Sequence, residues 1–193
     1  NMAEILIIFA SILIWGVSPL TAIQLLWLNL VTDGAPALAL ANEKGVYPVP
    51  FAVAYDSIIP VVHASNNLSN ITTAQLKDIY MGKITNFKEI GGPDLKIVVC
   101  SRDTSSGTYE TWEKKVMKKE RVTPRAQVMA SNGAIVQAVS NNKHAIGYIG
   151  IGYVNDSVRT LTVNGVKGSN ETTLNGTFPI SRPLFMFTNG WPK

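Results

Sequence analysis

Two uncharged apolar runs open the chain. Ile5 to Val17 reads ILIIFASILIWGV, and Leu20 to Val31 reads LTAIQLLWLNLV. Each is shorter than the ~20 residues that a membrane span needs, and Ser18-Pro19 between them would break one continuous helix. The pattern predicts an α-helical, transmembrane-like hairpin over residues 1–44, turning at Gly16–Pro19. From Gly45 onward the texture is that of an α/β domain. Val46 to Val62 is β-branched and apolar with prolines at its edges, which predicts one long extended segment or two short strands. Thr72 or Thr73 can cap a helix that carries Leu76, Ile79 and Tyr80 on one face and stops at Gly82. Asn86 to Pro93 is rich in turn residues, and Leu95 to Cys100 reads as a buried strand. Helices are expected from near Gly107 through Met117 and over Ala134 to Val139. Strands are expected within Ala145 to Tyr153, Leu161 to Val166 and Phe178 to Thr188; the prolines of the last suit an edge or crossover strand.

Charge follows the same division. Only 16% of the 193 residues are charged, against about 25% in an ordinary soluble domain. Residues 1–44 hold just Glu4, Asp33, Glu43 and Lys44, whereas residues 45–193 carry a net +6. A single cysteine, Cys100, excludes an internal disulfide framework, and two distant histidines exclude a His-rich metal site. With 46% hydrophobic residues, disorder of the whole chain is excluded. The basic run Lys114, Lys115, Lys118, Lys119 and Arg121 is expected to be a solvated helix face, without nucleic acid as a partner.

Candidate chemistry lies in two places. In the hairpin, Asn1 and Glu4 share one helical face, and Asn29, Thr32 and Asp33 share another. Polar oxygens inside an apolar span usually line an ion path, and oxygen ligands suit a hard cation. The second place is Ser101-Arg102-Asp103-Thr104-Ser105-Ser106-Gly107-Thr108, which joins a strand to a helix start. Backbone N–H groups at such a start attract anions. Ser105, Ser106 and Thr108 add hydroxyl donors, Gly107 admits close approach, and Arg102 can grip an oxyanion with two parallel bonds. An ordinary N-cap beside an exposed arginine fits the same residues. Ser131-Asn132-Gly133 could present a second helix start to a cleft in the same way. No nucleophile–base pair suggests itself, and both histidines sit away from the Arg102 loop, so neither an enzyme nor a cofactor is expected.

The runs NMAEILIIF and QLLWLNLVTDGAPALAL, over residues 1–41, closely resemble the fifth and sixth membrane helices of calcium-type P-type cation-transporting ATPases. That resemblance places Asn1, Glu4, Asn29, Thr32 and Asp33 on cation-coordinating positions. The DKTGT phosphorylation loop and nucleotide domain of such a pump have no counterpart, so a hairpin that transports nothing is expected. Residues 45–193 resemble the phosphate-binding protein of the phosphate ABC transporter, through VPFAVAYDSI, TTAQLKDIYMGKITNFKEIGG, SRDTSSGT, ASNGAIVQAV, AIGYIGIGY and NGTFPISRPLFMFTNG. Such proteins clamp phosphate between two α/β lobes joined by crossover strands. The expected fold is therefore α/β: one lobe of a type II periplasmic-binding-protein-like fold, preceded by the helical hairpin, in an apparent chimera joined between Leu40 and Gly45.

By this resemblance Arg102, Ser106, Gly107 and Thr108 fall on phosphate-contacting positions, with Ser105 beside them. Some members carry Asp two residues after the arginine, where this chain has Thr104. The first lobe's phosphate loop and the final helix have no counterpart, so weak phosphate binding is expected. The implied partners are inorganic phosphate, a phosphate ABC transporter permease, and the membrane through residues 1–41, with the lobe outside the cytoplasm.

Overall fold

A computed structural model describes residues 48–190. The predicted hairpin, its junction and the cation positions Asn1, Glu4, Asn29, Thr32 and Asp33 lie outside the described residues. The chain divides into two compact units. One is Ala54–Leu184; of the other, the described residues are 48–53 and 185–190.

The sheet of the described residues has the order β4-β3-β5-β1-β6, with β8 also pairing β1. β1 is Pro48–His63, β3 Val98–Arg102, β4 Gln127–Met129, β5 Ala145–Gly150, β6 Val158–Thr160 and β8 Ser181–Asn189. β3 runs parallel to β4 and β5, whereas β1 is antiparallel to β5 and β6. β2 (Asn70–Ile71) and β7 (Thr162–Val163) form a separate parallel pair. The inner half of β1, Ser57 to Val62, is buried throughout: Ile58, Ile59, Val61 and Val62 join the core, and Ser57 Oγ pairs with Thr173 Oγ1 at 2.8 Å. Its outer half mixes half-buried with exposed residues, Val53 and Tyr55 among the exposed ones.

Among the described residues four α-helices accompany the sheet: α1 Thr73–Met81, α2 Gly107–Trp112, α3 Asn132–Ser140 and α4 Asn170–Leu174. α1 starts where the sequence predicts, because Thr72 and Gln75 form a reciprocal capping box. It stops at Gly82, whose φ of 80° suits a residue without a Cβ. α3 packs on β5 at Gly147, where an added Cβ would stand 2.6 Å from Ile135 Cγ2 and 3.1 Å from Val139 Cγ2. α2 continues as a π-helical turn, Glu113–Met117, and delivers Trp112 to the core. There Trp112 stacks on Tyr148 with centroids 4.2 Å apart, and Tyr80 leans on both.

Several boundaries differ from the sequence pattern. The strand expected at Leu95 begins at Val98, because Leu95 to Ile97 pairs back onto the preceding turn: the Phe87 N–H donates to Leu95 O and the Ile97 N–H to Thr85 O. The strand expected over Leu161 to Val166 shrinks to Thr162–Val163, since Asn164 and Gly165 turn the chain with φ of 52° and 80°. β8 begins at Ser181 rather than Phe178. β4, β6 and α4 carry no apolar run long enough to announce them. Among the described residues, no helix is long and apolar enough to cross a membrane.

Candidate anion-binding site

β3 ends at Arg102, and the chain then turns sharply into α2. The Ser106 N–H donates to Asp103 O at 3.1 Å and closes the turn. Ser106 is the N-cap in extended conformation; its Oγ accepts from the N–H groups of Thr108 at 3.2 Å and Tyr109 at 3.5 Å. These bonds satisfy two of the donors that every helix start leaves free.

Arg102 is held on several sides. Its Nε donates to Met129 O at 3.2 Å and its Nη2 to Ala130 O at 3.0 Å. The same Nη2 lies 3.4 Å from Asp103 Oδ2. Met129 stands opposite Arg102 in the β3–β4 register, so a three-residue edge strand supplies the carbonyl seat. From behind, the backbone N–H of Arg102 donates to the Tyr148 hydroxyl at 3.1 Å, and that hydroxyl pairs with Ser101 Oγ at 3.0 Å. Burial pushes the Tyr148 phenol up to about 12, which keeps it neutral in this role. The arginine side chain is 11% exposed, and no partner for its Nη1 occurs among the described residues.

The five predicted residues divide by what their donors already do. Ser105 is exposed and bonds back onto its own loop: its N–H donates to Asp103 Oδ1 at 3.2 Å, and its hydroxyl donates to the same oxygen. That hydroxyl bond, aided by the Arg102 charge, holds the Asp103 carboxyl below the usual carboxylate range. Among the described residues, no acceptor is recorded for Arg102 Nη1, the Ser106 hydroxyl proton, the Gly107 N–H or the Thr108 hydroxyl. Together they offer one fixed cation and three neutral donors within seven consecutive residues, a set suited to an oxyanion.

A cavity of about 730 Å³, lined by Ile79, Ile84, Lys96, Val99 and Arg125 among others, lies toward the other end of β3 and includes none of these residues. His63 pairs with Ser65 in a surface turn and His144 with Lys96 O, both apart from the loop. Among the described residues, no group of three His, Cys, Asp or Glu could hold a metal ion.

Sequence reasoning missed the groups that brace the loop. Besides Tyr148 and the carbonyls of Met129 and Ala130, these are Asp56 on β1 and Arg182 on β8, joined at 3.2 Å. A signal was present: Asp56 is the sole charge in Val46 to Val62, and Arg182 the sole charge in Phe178 to Thr188. Opposite charges in two apolar strands are candidates to pair.

Comparison with known proteins agrees with this architecture. Residues 37–193 match the family described as PBP superfamily domain, and residues 17–47 match the one described as cation transporting ATPase, C-terminus. A phosphate-binding protein PstS from Borreliella burgdorferi is 35% identical over 158 residues, covering 76% of this chain and 56% of the relative. Among solved structures, a phosphate ABC transporter substrate-binding protein with bound phosphate from Clostridium perfringens is 40% identical with a TM-score of 0.69; the match covers 74% of this chain and 59% of that one. An ABC-type phosphate transport receptor from Vibrio cholerae is 34% identical with a TM-score of 0.70, covering 74% and 60%. The chain spans about half the length of the curated relatives it matches.

Proposed function

Because this chain belongs to the PBP superfamily domain family, we propose that its α/β lobe, over residues 45–193, binds inorganic phosphate as part of a solute-binding protein of a phosphate ABC transporter. The observation that carries this is the loop itself: a braced Arg102 with an open Nη1, beside the open donors of Ser106, Gly107 and Thr108. Ser105 serves the loop through Asp103, whose carboxylate it anchors. Relatives known as phosphate-binding proteins support the choice of anion.

The role is capture and release rather than chemistry. Phosphate presents several acceptor oxygens, and each charge-assisted bond to it is about twice as strong as a neutral one. Donors from one lobe leave the far side of the anion to water or to a second surface. In water-exposed geometry each bond is worth less and is screened by salt. Binding by this chain is accordingly weak and salt-sensitive. The partners are phosphate and the permease of the transporter, and the lobe works outside the cytoplasm.

Isothermal titration of the full chain with phosphate tests the proposal. Heat that weakens with salt and disappears in Arg102→Ala is expected. No heat in the parent, or equal heat in the variant, refutes it. Sub-micromolar affinity would show that a second surface completes the site.

The match over residues 17–47 favours a further element in the same chain. By the resemblance of residues 1–41 to pump membrane segments, we propose that this part of the chain associates with a bilayer, with Asn1, Glu4, Asn29, Thr32 and Asp33 on positions that no longer coordinate a cation. Flotation with lipid vesicles is expected for the full chain. An ion flux abolished by Asp33→Ala would instead mark a working transport segment.

A further inference from the structure

The geometry points to Arg182 as a positioning residue for the anion loop, an inference that rests on the phosphate proposal for its functional consequence. Arg182 lies on β8, 75 residues from Gly107 in the chain. Its Nη1 donates to Gly107 O at 2.5 Å and to Thr111 Oγ1 at 2.9 Å, while Nη2 donates to Asp56 Oδ2 at 3.2 Å. Thr111 Oγ1 donates to the same Gly107 oxygen at 3.0 Å. Gly107 O therefore takes a guanidinium and a hydroxyl besides its place in the first turn of α2. An added Cβ on Gly107 would stand 3.2 Å from Arg182 Nη1, so the guanidinium lies directly against the loop backbone.

Peptide planarity makes this grip consequential. The Gly107 carbonyl and the Thr108 N–H share one rigid plane. Fixing the carbonyl on Arg182 aims the Thr108 N–H at Ser106 Oγ, which it reaches at 3.2 Å. That bond orients the Ser106 hydroxyl, leaving its proton for a ligand. Asp56 in turn fixes Arg182 and offsets its charge, so Arg182 acts on the anion through the loop rather than as a second free cation. Both partners stand near the points where the chain leaves the Ala54–Leu184 unit, Asp56 just after Ala54 and Arg182 just before Leu184. The loop is thereby tied to the two strands by which the chain enters and leaves that unit.

Asp56→Asn separates positioning from plain charge. Removing a nearby carboxylate strengthens anion binding if only charge matters, and weakens it if Asp56 holds Arg182 in place. In the full chain, phosphate titration and amide hydrogen exchange would be measured for the parent, Asp56→Asn, Arg182→Gln and Arg182→Lys. We expect affinity about tenfold weaker in Arg182→Gln, partly recovered in Arg182→Lys, and several-fold weaker in Asp56→Asn. Exchange at the Thr108 and Tyr109 amides should speed up in Asp56→Asn and Arg182→Gln while β5 stays protected. Asp56→Asn binding phosphate as tightly as the parent or tighter overturns the inference, as does unchanged exchange at Thr108 and Tyr109. A parent that binds no phosphate, with those amides still responding, would overturn the phosphate proposal and leave the positioning role standing.

Discussion

The lobe contains two helix starts of nearly the same construction, and they differ in what surrounds them. α2 and α3 each follow a short strand, and each is capped by a serine in extended conformation, Ser106 and Ser131. Ser131 Oγ accepts from the Ala134 N–H at 3.0 Å much as Ser106 accepts from Thr108. Before α2, however, stands Arg102, a cation held by Met129 and Ala130 carbonyls with one nitrogen open. Before α3 those same carbonyls, from the residues just ahead of Ser131, face the arginine as acceptors. One start is thus armed with positive charge, and its neighbour supplies the seat for that charge. A serine cap is a local device for satisfying a helix; a braced guanidinium beside open donors makes it a candidate anion site.

The contrast can be broken in descending order of effect. Gly147→Ala presses a methyl group onto Ile135 and Val139 of α3. Overpacking of this kind costs roughly 1–3 kcal/mol, read as a lower urea midpoint. Phosphate affinity in the folded fraction should hold, because the added methyl meets Ile135, Val139 and Cys100 rather than the anion loop; a comparable loss of affinity would mean that the α3 start contributes contacts. Next, Ser106→Ala and Ser131→Ala should each lose about 1 kcal/mol of stability as caps. Only Ser106→Ala should also weaken phosphate binding several-fold, and equal weakening by both would erase the distinction.

The smallest effect concerns pH. The Asp103 carboxyl is held below the usual carboxylate range, chiefly by the Ser105 hydroxyl. A depressed value in the folded protein means stabilisation that is fully present above the unfolded value, ~3.9. It is lost as pH falls through the lowered one. The Ser105 amide resonance should therefore keep its native position to lower pH than an ordinary aspartate allows. A midpoint at the ordinary value would show that Asp103 is not anchored.

Local features of this fold were legible in the sequence, and long-range ones were not. α1 was readable to its caps, because Thr72, Gln75 and Gly82 act within one helix. The Arg102 loop was readable as chemistry, since its donors lie in consecutive positions. The bond of Ser105 to Asp103 was hidden, because composition does not say which acceptor a hydroxyl will take. β4, whose sequence QVM has mostly exposed side chains, could be recognised only by its pairing with β3. The Asp56–Arg182 pair spans 126 residues, and only the sheet brings its members together.

Phosphate titration followed at the backbone amides distinguishes the two helix starts directly. Saturable shifts are expected at Ser106, Gly107, Thr108 and Tyr109, with Asn132, Gly133 and Ala134 unmoved. Shifts confined to Asn132–Ala134, or no saturable shift anywhere in the lobe, would contradict an anion site at the α2 start.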